Sequence, residues 1–483
     1  MLQRFANIPK ALVWFVVVYV FAFFWLAYRR YSYFRCDAGD FALFNNMLWW
    51  TVHGRPFYAS ALGFSNFGIH ASFLWIQLLP LYWLLPGVGT LIFAQSLFLG
   101  LCAVPVYLIA KKLLGDTRPA ICCAVAFLFL PPIVSQHVNQ IEEPSFLAVY
   151  LPFAYYFFLE RRFGAFLIFA FISCLGRENV SLAVAMLGVA ALVEKRPIKW
   201  IISPLLLGII YFSLVTFVVM PWFRNGFRWH VMSMFSYLGE TPSAIIKTAL
   251  TNPGLILDHV FSAQNIEYFV LLVQPMGWIA PFFSSACLMA LPDLAINLIS
   301  SNTAMKVVPW HYNVVTGIFL FIGTIGAIGK VDALLRRRWG GNGYATLLGG
   351  ALVILSVTHW FVWLQPSQFQ PLPHHTSLQG ALAAVPPGKS VIVPMRMQGH
   401  VSDREWYAQN NYFVEKPAFA RQFEYVVLDA HERQYPPLIT QEFFDSFYRS
   451  VDYEMIFSEN GVFVFRRRGG ESDWKENPWQ GVR

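Results

Sequence analysis

The chain has 483 residues, 57% of them hydrophobic and only 13% charged, with 46 Phe, 17 Trp and a mean hydropathy of +0.49. Soluble domains carry about 25% charged residues, and a soluble fold this apolar could not cover its surface, whereas a bilayer accepts apolar side chains on the outside as well as the inside. The net charge of +8 does not point to nucleic acid, because the basic residues stand in short clusters between apolar runs, as they do when a membrane protein fixes its orientation.

In chain order, the first apolar run, roughly 12–28, is followed directly by Arg29-Arg30-Tyr31 with no small-residue cleavage site, so it reads as a retained helix. Arg4 and Lys10 before it place the N-terminus in the cytoplasm and the segment 29–88 outside. Within that segment, 71–85 is apolar but, at about fifteen residues, short for a crossing. The next run, 89–110, ends in Lys111-Lys112. If these lysines are cytoplasmic, 71–85 lies along the outer surface as a juxtamembrane helix.

Further helices are expected near 119–135, 145–159, 163–176, 180–193, 199–220, 267–281, 283–300, 312–329 and 344–363. Arg161-Arg162, Lys195-Arg196 with Lys199, and Lys330 with Arg336-Arg337-Arg338 then all fall in the cytoplasm, and this shared parity is the main topological argument. The expectation is a mainly α integral membrane protein with about eleven transmembrane helices over residues 1–363 and outer loops at 29–88 and 221–266. Past a proline-bearing linker at 366–373, the short runs Val391-Ile392-Val393, Tyr425-Val426-Val427-Leu428 and Val462-Phe463-Val464-Phe465 alternate with helix-compatible stretches. They predict a small soluble α/β domain over 364–483, outside the membrane. Five of the cysteines lie in apolar runs, where Cys acts as a small hydrophobe, and Cys36 alone sits in a polar stretch, so no disulfide framework is implied.

Ionisable residues gathered on one side of a membrane protein are the first place to seek chemistry. The first outer loop reads Cys36-Asp37-Ala38-Gly39-Asp40-Phe41, then Trp49-Trp50, then His53-Gly54-Arg55-Pro56-Phe57-Tyr58, then Asn66-Phe67-Gly68-Ile69-His70. An acidic pair just past the first helix, a histidine and a surface helix would wall a cavity open to lipid from the side and to water from above.

The run D-F-A-L-F-N-N-M-L-W from Asp40, then H-G-R-P-F-Y, N-F-G-I-H-A-S and L-L-P-L-Y, resembles an uncharacterised family of bacterial polytopic membrane proteins placed in the glycosyltransferase C superfamily. Gly176-Arg177-Glu178-Asn179, Leu291-Pro292-Asp293, Asn297-Leu298-Ile299-Ser300 and Pro386-Pro387-Gly388 extend the likeness over most of the chain. More distantly, the layout is similar to protein O-mannosyltransferases and lipid A aminoarabinose transferases. The resemblance implies a glycosyltransferase-C-like bundle in the bacterial inner membrane. It also implies an inverting transferase that moves a sugar from a polyprenyl-phosphate carrier to a glycan, lipid or protein acceptor outside.

The position matching the family's acid is Asp40, with Asp37 as understudy. A carboxylate can take the acceptor's proton while the anomeric carbon is attacked opposite the lipid phosphate. The departing phosphate needs a cation or donor beside it, for which Arg177, His70 and His311 with Tyr312 are the outward-facing candidates; Glu178, Glu142 and Glu143 are the further candidates for lining the site. Assistance by a divalent metal stays open, since no strong ligand spacing marks a site. The chain departs from the family where Gln140-Ile141-Glu142-Glu143-Pro144 replaces Asp-Phe-His-Pro and where Arg177-Glu178-Asn179 replaces Arg-Glu-Asp.

Each candidate also has a plainer reading. Asp37 and Asp40 fit helix caps, Arg177 and Glu178 fit a structural ion pair, and His311-Tyr312 after Trp310 fits an interfacial anchor. His400 and Asp403-Arg404 read as internal polar contacts, and His374-His375 as an isolated pair in a linker, without the spacing of a metal site. A membrane scaffold or accessory subunit that keeps the fold without catalysis therefore stands as the alternative function.

Overall fold

Residues Lys10–Ser32 form an unbroken helix of 23 residues with Pro9 at its N-cap and Arg29 and Arg30 in its last turn, where cations complement the helix dipole. Trp14, Val18, Phe21 and Trp25 are more than half exposed along it, an apolar face that only lipid can cover. The structure is a computed structural model and describes residues 8–36, 38–138, 141–224, 226, 229–410, 420–432 and 439–469. Asp37 and Gln140 lie outside the described residues.

Val88–Leu114, Ile198–Arg224 and His311–Trp339 are likewise long and apolar enough to cross a membrane, and Thr117–Leu128 with Pro131–Val138 adds a fifth span if that bent pair is one. The 49° bend falls at Pro131-Pro132, where ring clashes and missing N–H groups interrupt the helical ladder. Six shorter apolar helices, Phe73–Leu84, Pro144–Leu159, Phe163–Cys174, Val180–Val193, Ser285–Ile299 and Tyr344–Trp360, complete the bundle. His311–Trp339 is its hub, 78% buried against 22% for the peripheral Ile198–Arg224. Gly323 lets this hub close on the chain beside it, since a Cβ there would stand 2.1 Å from the Pro281 carbonyl oxygen.

Two of the expected helices are interrupted. Where the apolar pattern suggests one helix over 267–281, Ala263–Val273 gives way to a single 3-10 turn, Gln274–Met276, closed by Gly277 at φ 83°. Pro275 and Gly277 account for the break. Over 283–300 the chain starts as the 3-10 helix Ser285–Ala290 and turns α-helical only at Leu291–Ile299.

A short antiparallel hairpin, β1 (Tyr58–Ala59) and β2 (Phe64–Ser65), decorates the first loop. The C-terminal part holds a five-stranded sheet of β3 (Val391–Val393), β4 (Tyr407–Gln409), β5 (Tyr425–Asp429), β6 (Tyr453–Glu459) and β7 (Val462–Arg467), in the order β4-β3-β5-β7-β6. β3 runs parallel to β4 and β5, and β7 antiparallel to β5 and β6. Every residue of β3 and β5 is buried, as strands covered on both faces must be. One face packs on Leu378 and Ala381 of the helix His375–Ala383, the other on Phe443 and Phe447 of Gln441–Tyr448.

The first of these cores also takes in Phe34 and Ala42, so the sheet unit shares apolar side chains with the start of the first outer loop. Polar contacts lock the join. Asn46 Nδ2 donates to the carbonyls of Ser402 and Arg404 at 2.9 and 2.8 Å, and Asn45 Nδ2 to Ser402 Oγ at 2.9 Å. His400 stacks on Tyr31 with ring centres 4.1 Å apart. The helix Ala38–Val52, which carries Asp40 in its first turn, is thereby held from above by the sheet unit.

Candidate functional site

Five chain segments bring ionisable side chains together at one end of the bundle. His70 follows the turn Asn66–Gly68, and Glu142 and Glu143 immediately precede Pro144–Leu159. Arg177 and Glu178 sit in the turn between Phe163–Cys174 and Val180–Val193. Asp293 lies in Leu291–Ile299, and His311 with Tyr312 opens the hub helix. All but Asp293, which sits in the first turn of its helix, come from breaks between longer helices, where backbone geometry can aim side chains inward.

The contacts order these groups around Arg177. His70 Nδ1 stands 2.8 Å from Glu178 Oε1, and Arg177 Nη2 stands 2.5 Å from His70 Nε2. Arg177 Nε also lies 3.3 Å from His70 Nδ1, so Arg177 and Glu178 meet on the one imidazole. Glu178 Oε2 also accepts from the Ala71 backbone N–H at 3.3 Å, and Trp75 Nε1 donates to Glu143 Oε1 at 2.9 Å. Arg177 Nη1 lies 3.9 Å from Glu142 Oε2, and His311 Nδ1 lies 3.8 Å from Glu142 Oε1. Asn179 Nδ2 donates to Asp293 Oδ1 at 2.7 Å.

The carboxyls are unequal. Burial, then the negative charges of Asp40 and Glu143, hold Glu142 well above the usual carboxylate range. Glu143 and Glu178 are buried too, but the Arg177 and His70 charges, with their hydrogen bonds, outweigh desolvation and leave both below it. Desolvation opposes the Arg177 charge, yet Glu142, Glu143 and Glu178 outweigh it and hold the guanidinium more firmly protonated than usual. Asp40, partly buried, acts electrostatically on both Glu142 and Tyr312, which places its carboxylate in the field of the cluster.

Beside the cluster opens a cavity of about 220 Å³. Its lining mixes polar His70, Arg177, Glu178, Asn179, Asp293, His311 and Tyr312 with apolar Phe212, Trp229, Met232, Phe235, Ile296 and Val315. Of the described sequence candidates, His70, Arg177, Glu178, His311 and Tyr312 line this cavity and Asp40, Glu142 and Glu143 do not. Asp293, Asn179 and the apolar lining are additions. Asp293 had a readable signal, an acid inside an apolar run; the apolar lining had none, since apolar residues line lipid and cavity alike.

Metal-ligand side chains converge elsewhere, on the sheet unit. The ligand atoms of His374, Asp429 and His431 all lie within 4.8 Å of one another, so His374 is no isolated linker residue. Each imidazole already bonds one Asp429 oxygen at 3.2 Å, and Arg396 Nε lies 3.8 Å from that carboxylate. A guanidinium this close opposes a cation there.

A helical bundle of this kind, with a polar cluster at one end and a small sheet unit packed on it, defines a membrane protein. The chain belongs to the family described as "Predicted membrane protein (DUF2079)", whose pattern it matches over residues 30–464. No curated protein sequence matches it. Among solved structures it is similar to ArnT from Cupriavidus metallidurans bound to undecaprenyl phosphate, at 13% identity and a TM-score of 0.55, covering 95% of this chain and 98% of that one. The apo state of the same ArnT matches with the same TM-score and coverage at 12% identity. An Archaeoglobus fulgidus oligosaccharyltransferase in complex with Zn and sulfate follows at 14% identity and a TM-score of 0.41, covering 91% of this chain and 69% of that one. The ArnT likeness establishes the fold.

Proposed function

We propose that this protein is an inverting glycosyltransferase of the bacterial inner membrane that moves a sugar from a polyprenyl-phosphate carrier to a polar acceptor outside. The observation that carries the reading is the cavity's mixed lining, in which apolar side chains suited to an isoprenoid chain stand together with Arg177, a cation held by the Glu143 and Glu178 carboxylates. The match to an ArnT that binds undecaprenyl phosphate adds weight to that donor class.

In this scheme Asp40 is the general base, deprotonating the acceptor hydroxyl as it attacks the anomeric carbon. Arg177, with His70 and His311, stabilises the negative charge growing on the departing lipid phosphate. Glu142 feels both charges, Asp40 raising its proton affinity and Arg177 lowering it. The accompanying topology has about eleven crossings, the N-terminus inside, 71–85 along the outer surface, and residues 364–483 outside as a soluble domain. That arrangement would put the cluster and the sheet unit on the acceptor's side.

The purified protein, given a polyprenyl-phosphate sugar and extracts of outer-envelope glycolipid, should consume the donor and release polyprenyl phosphate. Donors of every common sugar left intact would remove the transferase reading and leave the scaffold alternative.

A further inference from the structure

A second cavity, of about 350 Å³, lies where the outer end of the first helix meets the sheet unit, remote in sequence from the Arg177 cluster. Its charged lining is entirely basic or imidazole: Arg30, Arg35 and Arg396 with His374 and His431. Among the described residues no carboxylate lines it. The two nearby acids stand behind it: Asp429 bonds both histidines, and Arg396 Nε lies 3.5 Å from Glu432 Oε1. Carboxylates that orient donors from the rear while leaving the front basic make a wall built for an anion.

The arginines are held in place. Arg30 Nη1 donates to the Val138 carbonyl at 2.9 Å and its Nη2 to the Arg35 carbonyl at 3.0 Å. Arg35 Nε donates to the Gln370 carbonyl at 2.9 Å, which fixes its plane against the linker. Arg396 is 9% exposed, and its Nε has no hydrogen-bond partner among the described residues. That Nε faces the Glu432 and Asp429 carboxylates at 3.5 and 3.8 Å, which fixes the guanidinium beside the cavity. Burial and the nearby Arg396 charge both pull the Arg35 proton affinity down.

We infer that this cavity binds a phosphate-class anion, gripped by Arg35 and Arg396 with His374 and His431 lining it. Guanidinium forks match the paired oxygens of a phosphate better than ammonium groups do. The site is independent of the transferase reading. Its position at the end of a membrane helix admits two sources of the same chemistry, a phosphomonoester lipid headgroup or a soluble phosphate.

The test uses the full chain in detergent, titrated with inorganic pyrophosphate, and in parallel followed by thermal unfolding in micelles with and without phosphatidic acid. The wild type should respond to at least one probe. A response to pyrophosphate identifies a soluble anion; a response to phosphatidic acid alone identifies a lipid headgroup. Arg35→Gln should weaken that binding about tenfold, the loss of one charged hydrogen-bonding partner. His431→Asn, at a largely exposed position that tolerates change, should weaken it as well. Arg449→Gln, the same charge change on an exposed helix of the sheet unit, should not. Silence to both probes, or equal weakening by Arg35→Gln and Arg449→Gln, would overturn the assignment. So would zinc binding that His431→Ala abolishes without any anion response.

Discussion

His70 and Glu178 are 108 positions apart in the chain, yet Nδ1 of one lies 2.8 Å from Oε1 of the other. That bond ties the first outer loop to the turn before Val180–Val193, and Arg177 closes it by meeting the far side of the same imidazole. Three polar groups thus fix one another's orientation, which is what a site must do before it can act on a substrate.

Arg177 should be the most stability-sensitive residue of the cluster. Arg177→Gln leaves Glu142, Glu143 and Glu178 buried without their shared cation, and breaking a buried ion network in this way costs about 3–5 kcal/mol. Arg177→Lys keeps the charge but not the fork and should lose distinctly less. Thermal unfolding in detergent checks both; equal stability of wild type and Arg177→Gln would show that the carboxyls are neutral or solvated.

The sheet unit should weaken as pH rises. Burial, opposed by Arg396 and assisted by Asp429, lifts Glu432 from 4.5 to about 7. A carboxyl whose folded value lies above its unfolded one contributes stability fully below pH 4.5, and that contribution is lost as pH climbs through about 7. Glu432→Gln should remove this dependence and stabilise the unit at pH 8 relative to wild type. Unfolding midpoints with the same slope across pH 5 to 8 in both proteins would contradict it.

Much of this was legible in the residues. Long apolar runs gave helices in place, and short β-branched runs gave β3, β5 and β7. Val391-Ile392-Val393 needed only its flanking turns to be read as a strand. What was hidden depended on three-dimensional return. Pro275 and Gly277 sit in a run apolar enough to read as continuous helix, and hydropathy carries no sign of the break. The Asp429–His374 contact spans 55 positions, so spacing rules had nothing to measure. The count of crossings stayed coarse for a related reason: several helices here are shorter than an unaided span, and only their packing says what each does.

Topology can be read directly. Reporter fusions at Arg338 and at Lys389 should give opposite signals, with Arg338 cytoplasmic, because Lys111-Lys112, Arg161-Arg162, Lys195-Arg196 and Arg336-Arg337-Arg338 then all lie inside. The same side for both would dismantle the parity argument and with it the outside placement of the sheet unit.

The account's central claim is that Asp40 is the base of a sugar transfer, and one comparison tests it most directly. Release of polyprenyl phosphate from a polyprenyl-phosphate sugar would be measured for wild type and Asp40→Asn at matched thermal stability. Asn keeps the shape of the side chain but cannot take a proton. Loss of a positioned base lowers the rate about 10²- to 10⁴-fold, and that is the predicted result, with donor binding retained. Full activity in Asp40→Asn would contradict it.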